Sequence, residues 1–251
     1  MATRKTVTEQ EEFGPTSPIV IPNRTKTGIP GLDDLLGGGI PEGNFVVVSG
    51  DPGSGKTSLC IQYLYMGAVK YNEPGLYISL EESEAEIVKI AAYYGFDLIP
   101  LIKARMLKIE TISLYDFEKL KNAIEESVTS LQAKRIVIDP GVIFRLFFDK
   151  ELEARKNILE LGRMLRKIKN TTLITNELSL EAGQSGGLYG LEEYVADGVI
   201  LLYHTKVENR FIRSIGVLKM RGTKITEKLH PVELGPNGLK VLSKQELFEE
   251  L

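Results

Sequence analysis

The chain has 251 residues, 43% of them hydrophobic and 26% charged, with a formal net charge of −3, which suits one full-sized domain, or one domain with tails. That balance argues against a surface built wholly for nucleic acid or anionic lipid, although a local basic patch stays open. One cysteine, Cys60, excludes an intramolecular disulfide and a cysteine-based metal site, and His204 and His230 stand outside any metal-binding spacing.

Residues 1–24 are polar, carry Pro15, Pro18 and Pro22, and show no sustained period, so they read as a mobile arm. Ile19, Val20 and Ile21 interrupt it as a short apolar run, suited to docking on a sheet edge of the same domain or of a neighbouring subunit. From residue 27 strand and helix signals alternate, the pattern of a mostly parallel sheet flanked by helices. Strands are expected at 45–49, 75–80, 106–111, 135–139 and 171–176, and helices at 56–71, 84–94, 115–131 and 151–168. Ser83 with Glu86 forms a capping-box pattern opening the second helix, and Gly95 suits its end. Past residue 198 the pattern changes to strands alone, at 198–204, 211–220 and 228–234, with turns such as Gly235-Pro236-Asn237-Gly238, so an antiparallel C-terminal extension is expected. Residues 243–251 form a tail. No segment has the length and apolarity to cross a membrane and the N-terminus lacks the apolar core of a secretory signal, which points to the cytoplasm.

Gly50, Asp51, Pro52, Gly53, Ser54, Gly55, Lys56 and Thr57 spell GDPGSGKT, a match to GxxxxGK[ST]. Phe45 to Val48 read as a buried strand before it, and Lys56 and Ser58 lie in the helix after it, the context a phosphate cradle requires. The glycines allow turns that a side chain would block, so backbone N–H groups and a helix N-terminus converge on phosphate oxygens. Lys56 reaches the β and γ phosphates, and the Thr57 hydroxyl is placed to ligate Mg²⁺. Cys60, just inside that helix, reads as a small core residue.

Arg135 to Asp139 make an apolar strand ending in a carboxylate, the form that holds Mg²⁺ through its waters beside a phosphate loop. Leu76 to Leu80 make another, ending in Glu81-Glu82 at the edge where such sheets bind ligands. By spacing alone, two readings of that pair stay open: a base that orients and deprotonates water, or solvated charges at a helix start.

The run TGIPGLDDLLGGGIPEGNFVVVSGDPGSGKTS, from Thr27 to Ser58, strongly resembles the KaiC-like branch of the RecA/RadA ATPase superfamily. YISLEES (77–83), RIVID (135–139), YGLEEYVADGVILL (189–202) and LKMRG (218–222) resemble it in the same order. The resemblance spans about residues 25–242 and covers one ATPase core, as in single-domain archaeal-type KaiC-like or RadA-paralogue proteins. It implies a RecA-like P-loop NTPase fold, ATP with Mg²⁺, and Glu81 or Glu82 as the catalytic base. It gives Lys219 and Arg221 the role of the family's KxR pair, which reaches into the neighbouring subunit's nucleotide site, and it implies a ring, expected to be a homo-hexamer. Asn176 takes the position of a polar sensor for the γ phosphate.

The pattern also departs from its relatives. Where the clock protein of the family autophosphorylates an adjacent Ser-Thr pair, this chain has Glu193-Tyr194, which gives clock-type autophosphorylation no support, although Ser179 and Ser185 leave other acceptors open. The loop NELSLEAGQSGGLYGLEE carries Glu177, Glu181, Glu192 and Glu193 and no Lys or Arg, so it should repel a phosphate backbone. The loop after Asp139 offers Phe144, Arg145, Phe147, Phe148 and Lys150, either a single-strand contact or a helix-docking apolar cluster. Arg155, Lys156, Arg163, Arg166 and Lys167 read as a solvated helix face. The expected function is a Mg²⁺-dependent, ring-forming ATPase coupling nucleotide state to an unidentified protein partner. The alternatives are a signalling scaffold with autokinase or incidental ATPase activity, and a recombinase-paralogue accessory that binds single-stranded DNA.

Overall fold

Alternate side chains along each central strand point to opposite faces of one sheet, and each face is covered by its own helices. The computed structural model describes residues 23–112, 117–140, 150–178, 193 and 195–247. In chain order the elements are β1 (Arg24–Thr25), α1 (Leu32–Leu35), β2 (Ile40–Pro41), β3 (Phe45–Gly50), α2 (Lys56–Tyr71), β4 (Gly75–Ser79), α3 (Glu84–Tyr93), α4 (Ile99–Lys103) and β5 (Leu107–Thr111). They continue with α5 (Phe117–Leu131), β6 (Arg135–Asp139), α6 (Glu151–Lys167), β7 (Thr171–Glu177), β8 (Gly198–Val207), β9 (Arg210–Met220), β10 (His230–Gly235) and β11 (Gly238–Val241).

Among the described residues the main sheet has nine strands in the order β11-β10-β9-β8-β3-β7-β6-β4-β5. The strands from β8 to β5 run parallel, and β9, β10 and β11 extend that sheet antiparallel, as the sequence pattern predicts. Val46, Val48, Tyr77, Val137 and Leu173 pack under α2 and α3 with Leu59, Tyr63, Ile87 and Ala91. Phe45, Val47, Ile78, Ile138 and Ile174 pack on the other face against α5 and α6 with Leu120, Ile124, Ile158 and Leu161. Cys60 is buried in the first of these layers.

The capping box is present: Glu86 N–H donates to Ser83 Oγ and Ser83 N–H to Glu86 Oε2, and Gly95 follows the helix with φ +77°. The pattern did not foretell β1, α1, β2, α4 or β11, whose two to five residues are too short to establish a period. Arg24 pairs with Pro41 in the two-stranded sheet of β1 and β2. Ile19, Val20 and Ile21 lie outside the described residues. No helix among the described residues is long and apolar enough to cross a membrane.

Candidate functional site

β3 delivers the phosphate loop to the edge of the sheet, and each unusual residue in the loop has a local reason. Gly50 is required by crowding: a Cβ there would lie 2.4 Å from the Leu202 carbonyl oxygen and 2.7 Å from Ser54 Oγ. Gly53 and Gly55 adopt φ of +72° and +105°, and Gly55 caps α2. Asp51 fastens the loop to β8, its N–H donating to Leu202 O at 3.2 Å and its Oδ2 accepting from His204 N at 2.9 Å. Lys56 Nζ folds back to donate to Gly50 O at 2.9 Å and Asp51 O at 3.1 Å. Burial lowers its pKa, and the charges of Glu177, Asp139 and Asp51 oppose that shift. Ser54 Oγ is buried with no partner among the described residues, a polar atom suited to an oxygen-rich ligand. Beside the loop a cleft of about 320 Å³ is lined by Gly53, Gly55, Lys56, Thr57, Ser58, Tyr94, Arg213 and Leu234. Arg213 Nε donates to Gly53 O at 3.1 Å.

β6 brings Asp139 to the same edge. The Thr57 hydroxyl donates to Asp139 Oδ2 at 2.9 Å and the Tyr77 hydroxyl to the same oxygen at 2.5 Å, while Thr175 Oγ1 donates to Oδ1. Burial and the Asp139 charge push the Tyr77 phenol well up, so it stays a donor; the same two causes raise the Cys60 thiol. A carboxylate and a hydroxyl already in contact are hard oxygen donors, the set that Mg²⁺ uses when phosphates and waters complete its shell. These residues fit that ion: Thr57 would be its direct ligand and Asp139 would hold its waters.

Glu81 and Glu82 follow β4, whose Ser79 is in register with Asp139. Leu80 N–H donates to Asp139 O at 2.9 Å and Glu82 N–H to Ser79 Oγ at 2.9 Å. Both carboxylates are exposed. Partial shielding from water raises the Glu82 pKa, and the neighbouring carboxylates of Glu86, Glu81 and Asp139 add to the rise.

Lys219 and Arg221 lie elsewhere. β9 runs antiparallel to β8, so Met220 pairs with Gly198 at the edge opposite the loop. There Lys219 Nζ donates to Glu193 O at 3.1 Å, and Arg221 Nη1 donates to Asp197 Oδ1 at 2.9 Å. Asp197 N–H in turn donates to Phe45 O at 2.8 Å, at the start of β3. Arg221 is thus held at the start of β3, whereas Lys219, opposite Val199 and through it in register with Val47, lies three residues or about 10 Å short of Gly50 along the strand. Burial and then the Arg221 charge lower the Lys219 pKa.

Asn176 is 2% exposed, and its Nδ2 donates to Glu193 Oε1 at 2.8 Å. Glu193 was read from sequence as part of an acidic, phosphate-repelling loop, but it is 5% exposed and its Oε1 also accepts from Ser49 Oγ at 2.6 Å. A carboxylate so engaged presents no charge to a nucleic acid. Arg166 is likewise not simply part of a solvated face, since its Nη1 donates to both oxygens of Asp197; Arg155, Lys156, Arg163 and Lys167 are exposed as expected. Phe144, Arg145, Phe147, Phe148, Ser179, Glu181, Ser185, Glu192 and Tyr194 lie outside the described residues, while Lys150, exposed, precedes α6. Sequence reasoning missed Tyr77, Thr175, Ser49 and Asp197 as site partners. The first three sit at strand positions near the phosphate-loop edge, which is the signal that could have singled them out.

The strand order, the loop after β3 and the acid at the end of β6 define a RecA-fold P-loop protein of the nucleotide-binding class. A family model described as "ATPase: KaiC" matches residues 25–246. The chain is 34% identical over 235 residues to a UPF0273 protein of Methanocaldococcus jannaschii, covering 87% of this chain and 96% of that one. It is 31% identical over 228 residues to the circadian clock oscillator protein KaiC of Synechococcus elongatus, covering 87% of this chain and 44% of that one. It thus spans less than half the length of that clock protein. A crystal structure of a KaiC-like protein from Pyrococcus horikoshii superposes with a TM-score of 0.79 at 35% identity, covering 87% of this chain and 98% of that one. The chain belongs to the KaiC ATPase family.

Proposed function

We propose that the protein binds ATP with Mg²⁺ and hydrolyses it at the junctions of a homo-oligomeric ring, a hexamer, whose nucleotide state is read by a protein partner. The observation that carries this reading is the placement of Lys219 and Arg221 on the sheet edge opposite their own phosphate loop. Two cations held away from the phosphate loop of their own chain are suited to serve the next one. Gly50 to Ser58 cradle the phosphates, Lys56 exchanges its loop carbonyls for phosphate oxygens, and Tyr94 and Leu234 offer apolar faces beside the cleft. Mg²⁺, held by Thr57 and Asp139, supplies charge neutralisation on the transferring phosphate. Glu81 or Glu82 takes the proton of the attacking water. Glu82 is the candidate tested below, its pKa raised first by partial shielding from water and then by the neighbouring carboxylates. Asn176 senses the γ phosphate, and residues 25–242 form the ATPase domain between an N-terminal arm and a C-terminal tail.

A scaffold with slow turnover is the second reading, favoured by one observation: Arg221 and Lys219 are both engaged within their own chain. Mixing Lys56→Ala protein with Arg221→Ala protein tests the trans arrangement. Recovery of hydrolysis in mixed rings supports it. No recovery under proven subunit exchange removes it, and ATP-dependent partner capture without turnover then favours the scaffold.

A further inference from the structure

A buried carboxylate needs compensating hydrogen bonds, and Glu193 spends its bonds on two elements of the nucleotide edge. Its Oε1 accepts from Ser49, one residue before the phosphate loop, and from Asn176, which is in register with Ser49 across β3 and β7. Its backbone oxygen holds Lys219, and Asp197, four residues on, holds Arg221 through a side-chain bond and through Arg221 N–H to Asp197 O at 2.8 Å.

We propose that Glu193 is a positioning residue that links a subunit's own phosphate loop and Asn176 to the Lys219 and Arg221 it lends to the next subunit. The inference rests on the trans reading above and adds a direction to it, since the state of one site sets the finger acting on its neighbour. Two features allow the link to change state. Glu193 Oε2 and Asn176 Oδ1 are buried without a partner among the described residues, so the network is only half satisfied and a rearranged Asn176 forfeits few bonds. Arg221 can leave Asp197 without stranding a buried charge, because Arg166 Nη1, at 3.1 Å from Oδ2, and Phe45 N–H, at 3.2 Å, still hold that carboxylate.

The test places a Glu193 change in one member of a mixed ring. In rings of Lys56→Ala and Arg221→Ala subunits, the active junctions take their fingers from the Lys56→Ala subunit and their phosphate loop from the other. Adding Glu193→Ala to the finger donor should lower hydrolysis about tenfold, through kcat and with KM for ATP unchanged. Glu193→Gln, which keeps an acceptor at Oε1, should restore most of the loss, and Ser49→Ala in the same subunit should give a smaller fall without endangering the fold. Circular dichroism and light scattering check that each variant is folded and assembled. A fall only when Glu193→Ala sits in the subunit supplying the phosphate loop overturns the inference while leaving the trans reading intact. Parent mixed rings with no activity overturn both.

Discussion

The two edges of the sheet hold their charges in different ways. At the phosphate-loop edge Asp139 accepts hydrogen bonds from three hydroxyls of its own chain, and Lys56 rests on loop carbonyls. The carboxylate is preset, and little has to move for a metal ion to be held. At the opposite edge Arg135 is fully buried against Glu73, Tyr63 and Tyr71, a structural arrangement, whereas the Arg221 side chain is 64% exposed while touching a carboxylate that is 4% exposed. Buried partner and exposed cation together make a contact that can be given up. The difference teaches that burial of the cation, more than the presence of an ion pair, separates a fixed contact from one that can be given up.

The largest effect expected from breaking this comparison is in Arg221→Ala. Hydrolysis by the assembled protein should fall about 10³-fold, while the thermal midpoint stays close to that of the parent because Arg166 keeps Asp197 paired. Phosphate release and a melting curve measure the two. Arg135→Leu should do the reverse. It should cost about 3 kcal/mol in a urea titration, by breaking a buried ion pair, with hydrolysis per folded molecule unchanged. Tyr77→Phe removes one donor from Asp139 and should weaken Mg²⁺-dependent turnover about tenfold, seen as a higher half-saturating Mg²⁺ concentration. The smallest effect concerns pH. A base with a raised pKa is lost as pH falls through that raised value, so the acid limb of activity should lie above the ordinary carboxylate range. Glu86→Gln keeps the capping box but removes a neighbouring negative charge from Glu82, so that limb should move to lower pH. A limb that does not move would point to Glu81 as the base.

Much of this was legible in sequence wherever the signal was local. The glycines of the loop, the apolar runs of β3, β4 and β6, and the capping box at Ser83 each carry their reason within a few residues. The antiparallel extension was legible from the loss of helical periods after residue 198. What escaped reading was pairing across the sheet. Tyr77 meets Asp139 from 62 residues away and Glu193 meets Ser49 from 144, distances over which composition and spacing say nothing. Glu193 looked like surface charge because Glu192 precedes it in a loop without Lys or Arg, and only the register of β3 with β7 shows what it faces. The short elements α1, α4 and β11 were invisible for a different reason, since one turn or four residues cannot display a period.

β9 has a consequence of its own. Near its start Arg213 touches Gly53 of the phosphate loop, and near its end Lys219 stands at the far edge, six residues or about 20 Å away. Between them the pairing with β8 slips, Lys219 opposing Val199 and Val217 opposing Ile200, so that Leu218 is the extra residue of a bulge. On the trans reading proposed above, that strand would be a ruler between one chain's pocket and the cations it offers to another, with the bulge setting its last mark. Deleting Leu218 would restore regular pairing with Lys219 still opposite Val199, removing the bend and extra twist that the bulge gives the end of the strand, whereas lengthening the β8–β9 turn would leave the measure untouched.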